Sequence, residues 1–332
     1  MKIAVLHDYP DAFRRSAAYS RLSGHEVAIH TGTEKDPERI AEIIGDCEAA
    51  VFTQQRVPFP RAAAEKVRAL KFISQTGRNV YHIDIPACTE RGIAISVGGV
   101  SGPPGQTARN FASTVELTWG LIIASMRHLP YEVERLKAGH WQSTLGERLY
   151  GNTLGVYAYG HIGESVAKIG HAFGMRVLCW GREGSTAKAR ADGFEVASSR
   201  EAFFESCDVI SLHLAANKDT YGIVTAADLA RMKSTSLLVN TSRAPIVAAG
   251  ALVEALKRGR PGYAAIDVYE EEPVTGARHP LLALPNALCT PHLGYNDREG
   301  FERFYETAVN QLLAYDEGKP INVINPEALG RR

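Results

Sequence analysis

The sequence predicts an α/β protein with two domains, each built on a doubly wound parallel sheet. Three observations support this: the length of the chain, the alternation of short apolar runs with amphipathic ones, and a long amphipathic segment between two such series. At 332 residues the chain is long enough for two domains. Strands that alternate with helices form βαβ units, because a parallel strand pair needs a crossover connection.

The composition is that of an ordinary globular protein, with 45% hydrophobic and 22% charged residues. Lys plus Arg and Asp plus Glu both total 37, so the formal net charge is zero and neither nucleic acid nor an anionic membrane is an expected partner. The five cysteines are scattered without a CxxC pair, which is typical of the reducing cytosol and argues against a disulfide framework or a metal site. No apolar run has the length of a signal peptide or a membrane span, so we expect a cytoplasmic protein.

The first series contains five apolar runs of strand length. They are Ile3–Leu6, Val27–His30, Ala50–Phe52, Phe72–Ser74 and Ile93–Ser96. Amphipathic segments between them, such as Pro60–Leu70, predict helices. A long helix is expected next, over about Gln106–Met126, because its apolar residues recur at helical spacing.

The second series contains six predicted strands. They are Leu154–Ala158, Arg176–Trp180, Asp208–His213, Leu237–Asn240, Tyr263–Asp267 and Leu288–Thr290. A last helix is expected over about Asp297–Tyr315, with its apolar residues on one face. Two doubly wound domains predict a ligand site in the cleft between them.

A glycine-rich turn follows the first strand of the second series. It reads Ala158-x-Gly160-x-x-Gly163, a variant of the dinucleotide fingerprint GxGxxG. Gly160 would let the backbone approach a pyrophosphate, and Gly163 would let the following helix pack closely on the strand. The expected cofactor contacts, at the start of that helix, are Tyr159, Gly160, His161, Ile162 and Gly163. The alternative is a tight turn without a ligand, but the strand–turn–helix context favours a dinucleotide.

The next strand bears on which dinucleotide is bound. An acidic residue at its tip would hold the ribose hydroxyls of NAD and repel a 2′-phosphate. Here the strand ends in Gly181-Arg182, and the nearest acid, Glu183, follows them. Glycine leaves room for a 2′-phosphate and Arg182 can pair with it, so the sequence favours NADP over NAD.

Three residues further along are open to two interpretations. Ser185, Lys188 and Arg190 would extend a phosphate site with a hydroxyl and two charges. Alternatively, Ser185 is the N-cap of a surface helix on which Lys188 and Arg190 are solvated charges. For the two charges we favour the second interpretation.

Polar residues follow each of the last three predicted strands, at the edge where open α/β sheets bind ligands. Arg243 follows the fourth strand, the acidic run Glu270–Glu272 the fifth, and His292 the sixth. Hydride transfer to a 2-oxo acid needs a proton donor, which a histidine beside a carboxylate provides near neutral pH. An arginine binds the substrate carboxylate and polarises the ketone. Each residue alone is ordinary, but their placement downstream of a dinucleotide turn predicts a dehydrogenase.

With these motifs the chain resembles the D-isomer-specific 2-hydroxyacid dehydrogenase family over essentially its whole length. The motifs are Leu154–Gly163, Val239–Val247, Asp267–Pro273 and Thr290–Gly294. The resemblance implies a Rossmann nucleotide-binding domain, residues 105–297, inserted into a discontinuous flavodoxin-like substrate domain, residues 1–104 and 298–332. It also implies a homodimer that associates through the nucleotide domain.

The resemblance further implies roles for individual residues. Arg243 would bind the substrate, His292 would be the acid/base, and Glu272, which directly precedes a proline, would be the partner of His292. Asp267 would contact the nicotinamide carboxamide. Other residues expected to line the cofactor are His213, Thr241 and Gly294.

The same resemblance places the substrate carboxylate at a glycine-rich loop. Its residues here are Gly77, Arg78 and Asn79. Asn79 replaces a glycine, a change that asparagine tolerates because it adopts positive φ. Arg78 is either an additional substrate cation or an exposed surface arginine.

The chain departs from the family pattern at several positions. Ala158 replaces the first fingerprint glycine, Gly181 replaces the usual acid, and Ala244 follows Arg243 where glycine is common. The loop Gly98–Thr107 is rich in Gly and Pro and borders the predicted cleft, so the family does not identify the substrate.

We therefore expect an NAD(P)-dependent oxidoreductase acting on a 2-oxo acid or a D-2-hydroxy acid. One alternative is a dinucleotide-sensing module that recruits a partner, as corepressor relatives do. Another is a phosphoglycerate dehydrogenase, which would need a second phosphate-binding cation, and Arg78 is the candidate.

Overall fold

The structure is a computed structural model that describes residues 1–98 and 107–330. The chain forms two compact units. Unit 1 comprises Met1–Pro103 and Asp297–Arg332, and unit 2 comprises Pro104–Asn296. Both boundaries differ by one residue from the sequence-based ones. Residues 99–106, most of the Gly/Pro-rich loop, lie outside the described part of the chain.

Unit 1 is built on a five-stranded parallel sheet. Its strands are β1 (Lys2–Leu6), β2 (Glu26–His30), β3 (Ala49–Phe52), β4 (Phe72–Gln75) and β5 (Ala94–Val97). Its helices are α1 (Pro37–Ile44), α2 (Arg61–Ala64), α3 (Ile85–Glu90) and the C-terminal helix Arg298–Asp316. The strand order is β2-β1-β3-β4-β5, which is the order of flavodoxin-like folds.

Apolar side chains cover both faces of this sheet. Residues of β1, β3, β4 and β5 pack against α1, α2 and α3 in one buried cluster. The C-terminal helix contributes Tyr305, whose ring lies 4.9 Å from that of Phe13, and Tyr315, whose ring stacks 4.3 Å from that of Phe72. Strands covered on both faces are apolar throughout, which explains the uninterrupted runs in the sequence.

Unit 2 is built on a seven-stranded parallel sheet. Its strands are β6 (Thr153–Tyr157), β7 (Arg176–Trp180), β8 (Glu195–Val196), β9 (Val209–Leu212), β10 (Leu237–Asn240), β11 (Tyr263–Ile266) and β12 (Ala287–Cys289). Its helices are α4 (Thr107–Met126), α5 (Leu129–Lys137), α6 (His161–Ala172), α7 (Glu183–Ala191), α8 (Arg200–Ser206), α9 (Ala226–Arg231) and α10 (Ala251–Lys257). The C-terminal helix of unit 1 is thus α11.

The strand order of unit 2 is β12-β11-β10-β9-β6-β7-β8. Six of these strands follow the order of a dinucleotide-binding Rossmann sheet, whose direction of winding reverses between β6 and β9. Two buried apolar clusters, one formed with α8, α9 and α10 and the other with α4 and α6, fill this unit. The predicted fold class of two doubly wound parallel sheets is therefore confirmed.

The helices differ from the prediction more than the strands do. All eleven predicted strands are present with ends within one residue of those predicted. The helix expected over Pro60–Leu70 is only the short α2, and β8 and α5 were not expected. No helix in the described part of the chain has the length and apolar character needed to cross a bilayer. All five cysteines are free thiols.

Candidate active site

His292 and Glu272 form a short hydrogen bond at the carboxyl edge of the unit 2 sheet. His292 Nδ1 lies 2.5 Å from Glu272 Oε2, and the other carboxylate oxygen accepts the backbone N–H of Tyr269 at 2.9 Å. Burial alone would raise the pKa of the Glu272 carboxyl, but the hydrogen bond and charge of His292, the Tyr269 N–H and the charge of Arg243 outweigh burial and hold that pKa below its ordinary value. Glu272 is therefore ionised at neutral pH and presents an anion to the His292 ring.

Asp267 fixes the backbone around His292. Its Oδ1 accepts from the Thr290 hydroxyl at 2.6 Å and from Leu293 N at 2.7 Å, and its Oδ2 accepts from Gly294 N at 2.8 Å. His292 itself has φ +52°, in the left-handed region that non-glycine residues rarely adopt. Asp267 is completely buried, and burial raises the pKa of its carboxyl. These three bonds hold a strained turn that presents the histidine.

Arg243 sits on a turn that Asn240 organises. The Asn240 side chain accepts from Ser242 N and donates to the Arg243 carbonyl oxygen, both at 3.0 Å. The Arg243 side chain is exposed, and its Nη1 donates to the Ser242 carbonyl oxygen at 2.7 Å. Ala244, where the family commonly has glycine, begins a short 3₁₀ helix without a positive φ, so this turn does not require glycine.

Strand order places these groups side by side. β10, β11 and β12 are consecutive in the sheet, so the segments that bear Arg243, Glu272 and His292 leave neighbouring strands at one edge. The charge of Arg243 acts on the Glu272 carboxyl, which is consistent with this proximity. The arrangement offers a proton donor, an anionic partner for it, and an exposed guanidinium for a carboxylate.

The glycine-rich turn links β6 to α6. Ala158 adopts φ +74°, so the alanine that replaces the first fingerprint glycine occupies a conformation that glycine prefers. A Cβ on Gly163 would lie 2.3 Å from the Ala158 carbonyl oxygen, which confirms that this position must be glycine for close packing. A Cβ on Gly160 would meet nothing within 4 Å. Gly160 is the N-cap of α6 and no side chain caps it, so open space lies before a helix N-terminus.

Tyr159 is turned into the core and its donors are engaged. Its side chain is 2% exposed, its hydroxyl donates to Asp192 Oδ2 at 2.8 Å, and its backbone N–H donates to Ser185 Oγ at 2.6 Å. In this conformation neither donor is directed to a ligand. The alternative that Ser185 is the N-cap of a helix is wrong, because Arg182 occupies the N-cap position of α7 and Ser185 lies in the first turn of that helix. Ser185 instead joins α7 to the glycine-rich turn.

The tip of β7 carries an exposed arginine. The Arg182 side chain is 74% exposed and lies 3.8 Å from Asp219. Gly181 precedes it, and a Cβ on Gly181 would lie 3.2 Å from Ser185 Oγ and 3.4 Å from Ala158 Cα. Lys188 forms an ion pair with Glu164 and Arg190 with Glu183, at 3.2 Å in the second case, so both are surface charges with carboxylate partners.

The remaining predicted cofactor residues lie at the same edge of the sheet. His213 follows β9 at the winding reversal, and both of its ring nitrogens are buried without a hydrogen-bond partner among the described residues. Burial lowers the pKa of His213 to about 4, so the ring is neutral at assay pH. Thr241 pairs its hydroxyl with that of Thr118 at 2.9 Å. The Gly294 carbonyl oxygen accepts the Thr114 hydroxyl at 2.6 Å.

These features fit a bound dinucleotide. The open space at Gly160 lies at an uncapped helix N-terminus, and the unpartnered His213 ring lies where the strand order reverses. Both are positions at which Rossmann sheets bind the pyrophosphate and the rest of the cofactor. The residues of this chain that would hold it are the start of α6, the tip of β7 and His213.

The predicted carboxylate loop belongs to unit 1. Gly77, Arg78 and Asn79 follow β4, and the Gly77 carbonyl oxygen accepts Gly98 N at 3.1 Å. Arg78 and Asn79 are exposed. Asn79 is not among the described residues with positive φ, so the expectation that it replaces glycine by adopting positive φ is wrong. The backbone there is compatible with any side chain.

Sequence reasoning missed the structural roles of three residues that shape the site. Asn240 holds the Arg243 turn, Tyr269 supports Glu272, and Ser185 closes the glycine-rich turn. Asn240 carried a usable signal, because an asparagine that ends a buried strand before Thr-Ser-Arg is suited to a turn. Tyr269 and Ser185 carried none, since their partners are set by tertiary packing.

The chain is similar to known proteins in sequence and in fold. Residues 119–294, more than half of the chain, match the family model described as D-isomer specific 2-hydroxyacid dehydrogenase, NAD binding domain. A protein named glyoxylate reductase from Aeropyrum pernix is 35% identical over 78% of this chain and 78% of its own length. A solved structure described as phosphoglycerate oxidoreductase from Vibrio cholerae has a TM-score of 0.87 and 40% identity, covering 96% of this chain and 99% of that one.

A longer relative also matches. The protein named D-3-phosphoglycerate dehydrogenase from Methanocaldococcus jannaschii is 35% identical over 90% of this chain. The alignment spans 55% of that protein, so this chain corresponds to about half of its length.

Proposed function

This chain belongs to the D-isomer specific 2-hydroxyacid dehydrogenase family, and from that premise we propose that it reduces a 2-oxo acid to the D-2-hydroxy acid, or catalyses the reverse oxidation. The observation that carries the proposal is the 2.5 Å contact between His292 and Glu272 beside the segment that bears Arg243. A nicotinamide dinucleotide supplies or accepts the hydride.

His292 is the proposed acid/base. In reduction its imidazolium gives a proton to the oxygen that forms at C2 of the substrate, and in oxidation the neutral ring takes that proton. Glu272 stays ionised and supplies a negative charge beside the ring during proton transfer. Asp267 acts as a positioning residue, since its three hydrogen bonds fix the turn on which His292 stands.

Arg243 is the proposed substrate-binding residue. Its exposed guanidinium can pair with the substrate carboxylate and polarise the adjacent ketone. Gly77, Arg78 and Asn79 of unit 1 are also proposed as substrate-binding residues, mainly through backbone N–H groups that suit a carboxylate. Both sets of donors favour an anionic 2-oxo acid.

NADP is the proposed cofactor form, with NAD as the alternative. The tip of β7 carries glycine in place of an acid, and the exposed Arg182 guanidinium has, among the described residues, only a 3.8 Å contact with Asp219. A 2′-phosphate would gain a charged hydrogen bond there, whereas no acidic side chain replaces Gly181 to bind ribose hydroxyls.

We also propose that the protein is a cytoplasmic homodimer that associates through unit 2. Helix α5 has no buried residue, and Leu129, Val133 and Leu136 on it are about half exposed. Exposed apolar side chains in one helix favour association. The free thiols fit a reducing compartment. Light scattering of the purified chain should give twice the monomer mass.

The test of function is an initial-rate panel of 2-oxo acids with NADPH and NADH. Glyoxylate, hydroxypyruvate, pyruvate and phosphohydroxypyruvate cover the small, hydroxylated, apolar and phosphorylated substrates. We expect saturable turnover that His292→Ala and Arg243→Ala nearly abolish while the dissociation constant of the dinucleotide stays within about threefold. Arg258→Ala is the matched control, because Arg258 is exposed at the end of α10, away from the carboxyl edge of the strands.

Two results would redirect the assignment. Tight dinucleotide binding without turnover of any 2-oxo acid would indicate the sensing module instead. Near-normal turnover in His292→Ala or Arg243→Ala would reject the catalytic roles proposed for those residues.

A further inference from the structure

Three side-chain amides cluster beside the loop proposed to bind the substrate carboxylate. Gln54 and Gln55 follow β3, and Gln75 ends β4. A Cβ placed on Gly77 would lie 3.1 Å from Gln54 Oε1 and 3.3 Å from Gln55 Nε2. Because β3 and β4 are adjacent parallel strands, their carboxyl ends bring these amides to one edge of the sheet.

Two atoms of this amide cluster are buried and have no hydrogen-bond partner among the described residues. They are Gln54 Nε2 and Gln75 Oε1. Gln75 is completely buried, and its Nε2 donates to the carbonyl oxygens of Gln54 at 2.6 Å and Asn79 at 3.3 Å, which fixes the orientation of its amide. A buried polar atom without a partner costs about 1–3 kcal/mol, and native structures contain few. At a ligand-binding edge such atoms indicate a polar ligand group.

The backbone of Gln54 is held in an unusual conformation. Its φ is +52°, its N–H donates to the Thr76 hydroxyl at 2.9 Å, and its carbonyl oxygen accepts from Gln75. Left-handed backbone at a long side chain is strained and persists where surrounding contacts impose it. Those contacts direct the Gln54 amide against Gly77.

The amide cluster is uncharged. Arg56, which follows it, donates from Nη1 to the His7 carbonyl oxygen at 2.9 Å, and its guanidinium lies 4.3 Å from the centre of the Tyr9 ring. That cation is therefore engaged within unit 1. Arg78, on the same loop, is assigned to the substrate carboxylate, so a terminal phosphate would bring about −1.5 to −2 charges against neutral side-chain amides, and an alkyl group would leave those amides without partners. A hydroxyl both donates and accepts, so it satisfies an amide N–H and an amide oxygen.

We propose that Gln54, supported by Gln55 and Gln75, is a specificity-determining residue that hydrogen-bonds a hydroxyl on the third carbon of the substrate. The preferred substrate is then a short 2-oxo acid with an uncharged, hydroxylated tail. This inference rests on the proposed function and on the carboxylate binding at Gly77. In such an acid the third carbon is two bonds from the carboxylate carbon, so groups that line the carboxylate loop reach its substituent.

The test compares hydroxypyruvate, pyruvate and phosphohydroxypyruvate as substrates of the wild-type enzyme and of Gln54→Leu. In the wild type we expect kcat/KM for hydroxypyruvate to exceed that for pyruvate by about tenfold or more, because a site built to bind a hydroxyl rejects the analogue without one. Gln54→Leu should lower this ratio about fivefold, mainly by raising KM for hydroxypyruvate, while pyruvate turnover stays close to wild type.

Gln142→Leu is the matched control. Gln142 is exposed and has φ +51°, so the same side-chain change is made in the same backbone conformation in unit 2. In Gln142→Leu the ratio of kcat/KM for hydroxypyruvate to kcat/KM for pyruvate should equal that of the wild type. Gln55→Leu is a second test variant, and it should lower the ratio in the same direction if Gln54→Leu does not fold.

The outcomes separate this inference from the proposed function. Turnover of pyruvate or phosphohydroxypyruvate in preference to hydroxypyruvate would overturn the inference and leave the function intact. An unchanged ratio in folded Gln54→Leu would also overturn it. Absence of turnover on these three acids and on glyoxylate would reject the function itself. Inhibition constants of D-glycerate and D-lactate give a binding readout, and only that of D-glycerate should rise in Gln54→Leu.

Discussion

Two carboxylates of unit 2 support His292 in different ways. The oxygens of Asp267 accept hydrogen bonds from the Thr290 hydroxyl and from two backbone N–H groups, so Asp267 fixes the position of the His292 ring. Glu272 contacts the ring itself at 2.5 Å, so it places a carboxylate directly against the proposed acid/base. Loss of Asp267 is expected to disturb the geometry of the turn, and loss of Glu272 to disturb proton transfer.

Replacing Glu272 with glutamine should therefore change the pH dependence of reduction. The variant is a neutral mimic of the protonated form of Glu272, whose pKa is held below its ordinary value in the wild type by the contacts of that carboxyl. We expect kcat/KM for reduction to fall about tenfold or more at pH 7, and the loss of activity that protonation of Glu272 causes at the acid end of the profile to be absent from the variant. Rates measured from pH 4 to pH 9 would check this.

Glu270→Gln is the control for that measurement. Glu270 also pairs with a histidine, His279 at 3.0 Å, but neither residue is proposed to touch the substrate. Its pH profile should match that of the wild type. If the pH profile changed in Glu270→Gln but not in Glu272→Gln, the partner of the acid/base would be Glu270 and the role proposed for Glu272 would be wrong.

The choice between dinucleotides is also decided by single residues. Arg182→Ala should weaken NADPH binding at least tenfold and leave NADH binding nearly unchanged, because only the phosphate form pairs with the guanidinium. Lys188→Ala, which removes a cation already paired with Glu164, should affect neither. Dissociation constants from protein fluorescence or calorimetry would measure both effects. Equal losses for NADPH and NADH in Arg182→Ala would exclude the 2′-phosphate role.

At the scale of elements, the turn between β6 and α6 contains one glycine needed for packing, Gly163, and one proposed to be needed for ligand binding, Gly160. Gly163→Ala would force a Cβ to within 2.3 Å of the Ala158 carbonyl oxygen, so it should lower the melting temperature by several degrees. Gly160→Ala meets no atom within 4 Å and needs no positive φ, so it should keep the wild-type melting temperature. It should nevertheless raise the dissociation constant of the dinucleotide about tenfold or more, because its methyl group enters the space proposed for the pyrophosphate. If Gly160→Ala bound the dinucleotide with wild-type affinity, the dinucleotide would not bind at this turn.

The accuracy of prediction also varied by element. Strands such as β1 and β10 were predictable because both of their faces are buried, which leaves a continuous apolar run in the sequence. The two-residue β8 carries too little pattern, and the helix predicted around α2 ended early because amphipathic spacing does not specify helix length. Contacts of single residues were least predictable. The bonds from Tyr159 to Ser185 and Asp192 depend on how α7 packs, which no local spacing encodes.

At the scale of the whole molecule, the residues proposed to bind the dinucleotide lie in unit 2, and a loop proposed to bind the substrate lies in unit 1. The proton-transfer residues and the dinucleotide turn are all in unit 2, and the carboxylate loop with the amide cluster is in unit 1. The chain passes from one unit to the other twice, once near residue 104 and once near residue 297. This division predicts that the two ligands stabilise different parts of the protein.

Hydrogen exchange would measure this division. Saturating NADPH, at about 100 times its dissociation constant, stabilises the conformation it binds by about 2.7 kcal/mol. We expect it to slow amide exchange in residues 159–164 and 290–294 of unit 2, while residues 77–79 of unit 1 exchange at the unliganded rate. Further addition of oxamate, an unreactive analogue of a 2-oxo acid, should then slow residues 77–79. Protection of residues 77–79 by NADPH alone would contradict the division, because the dinucleotide would then stabilise the carboxylate loop without any substrate.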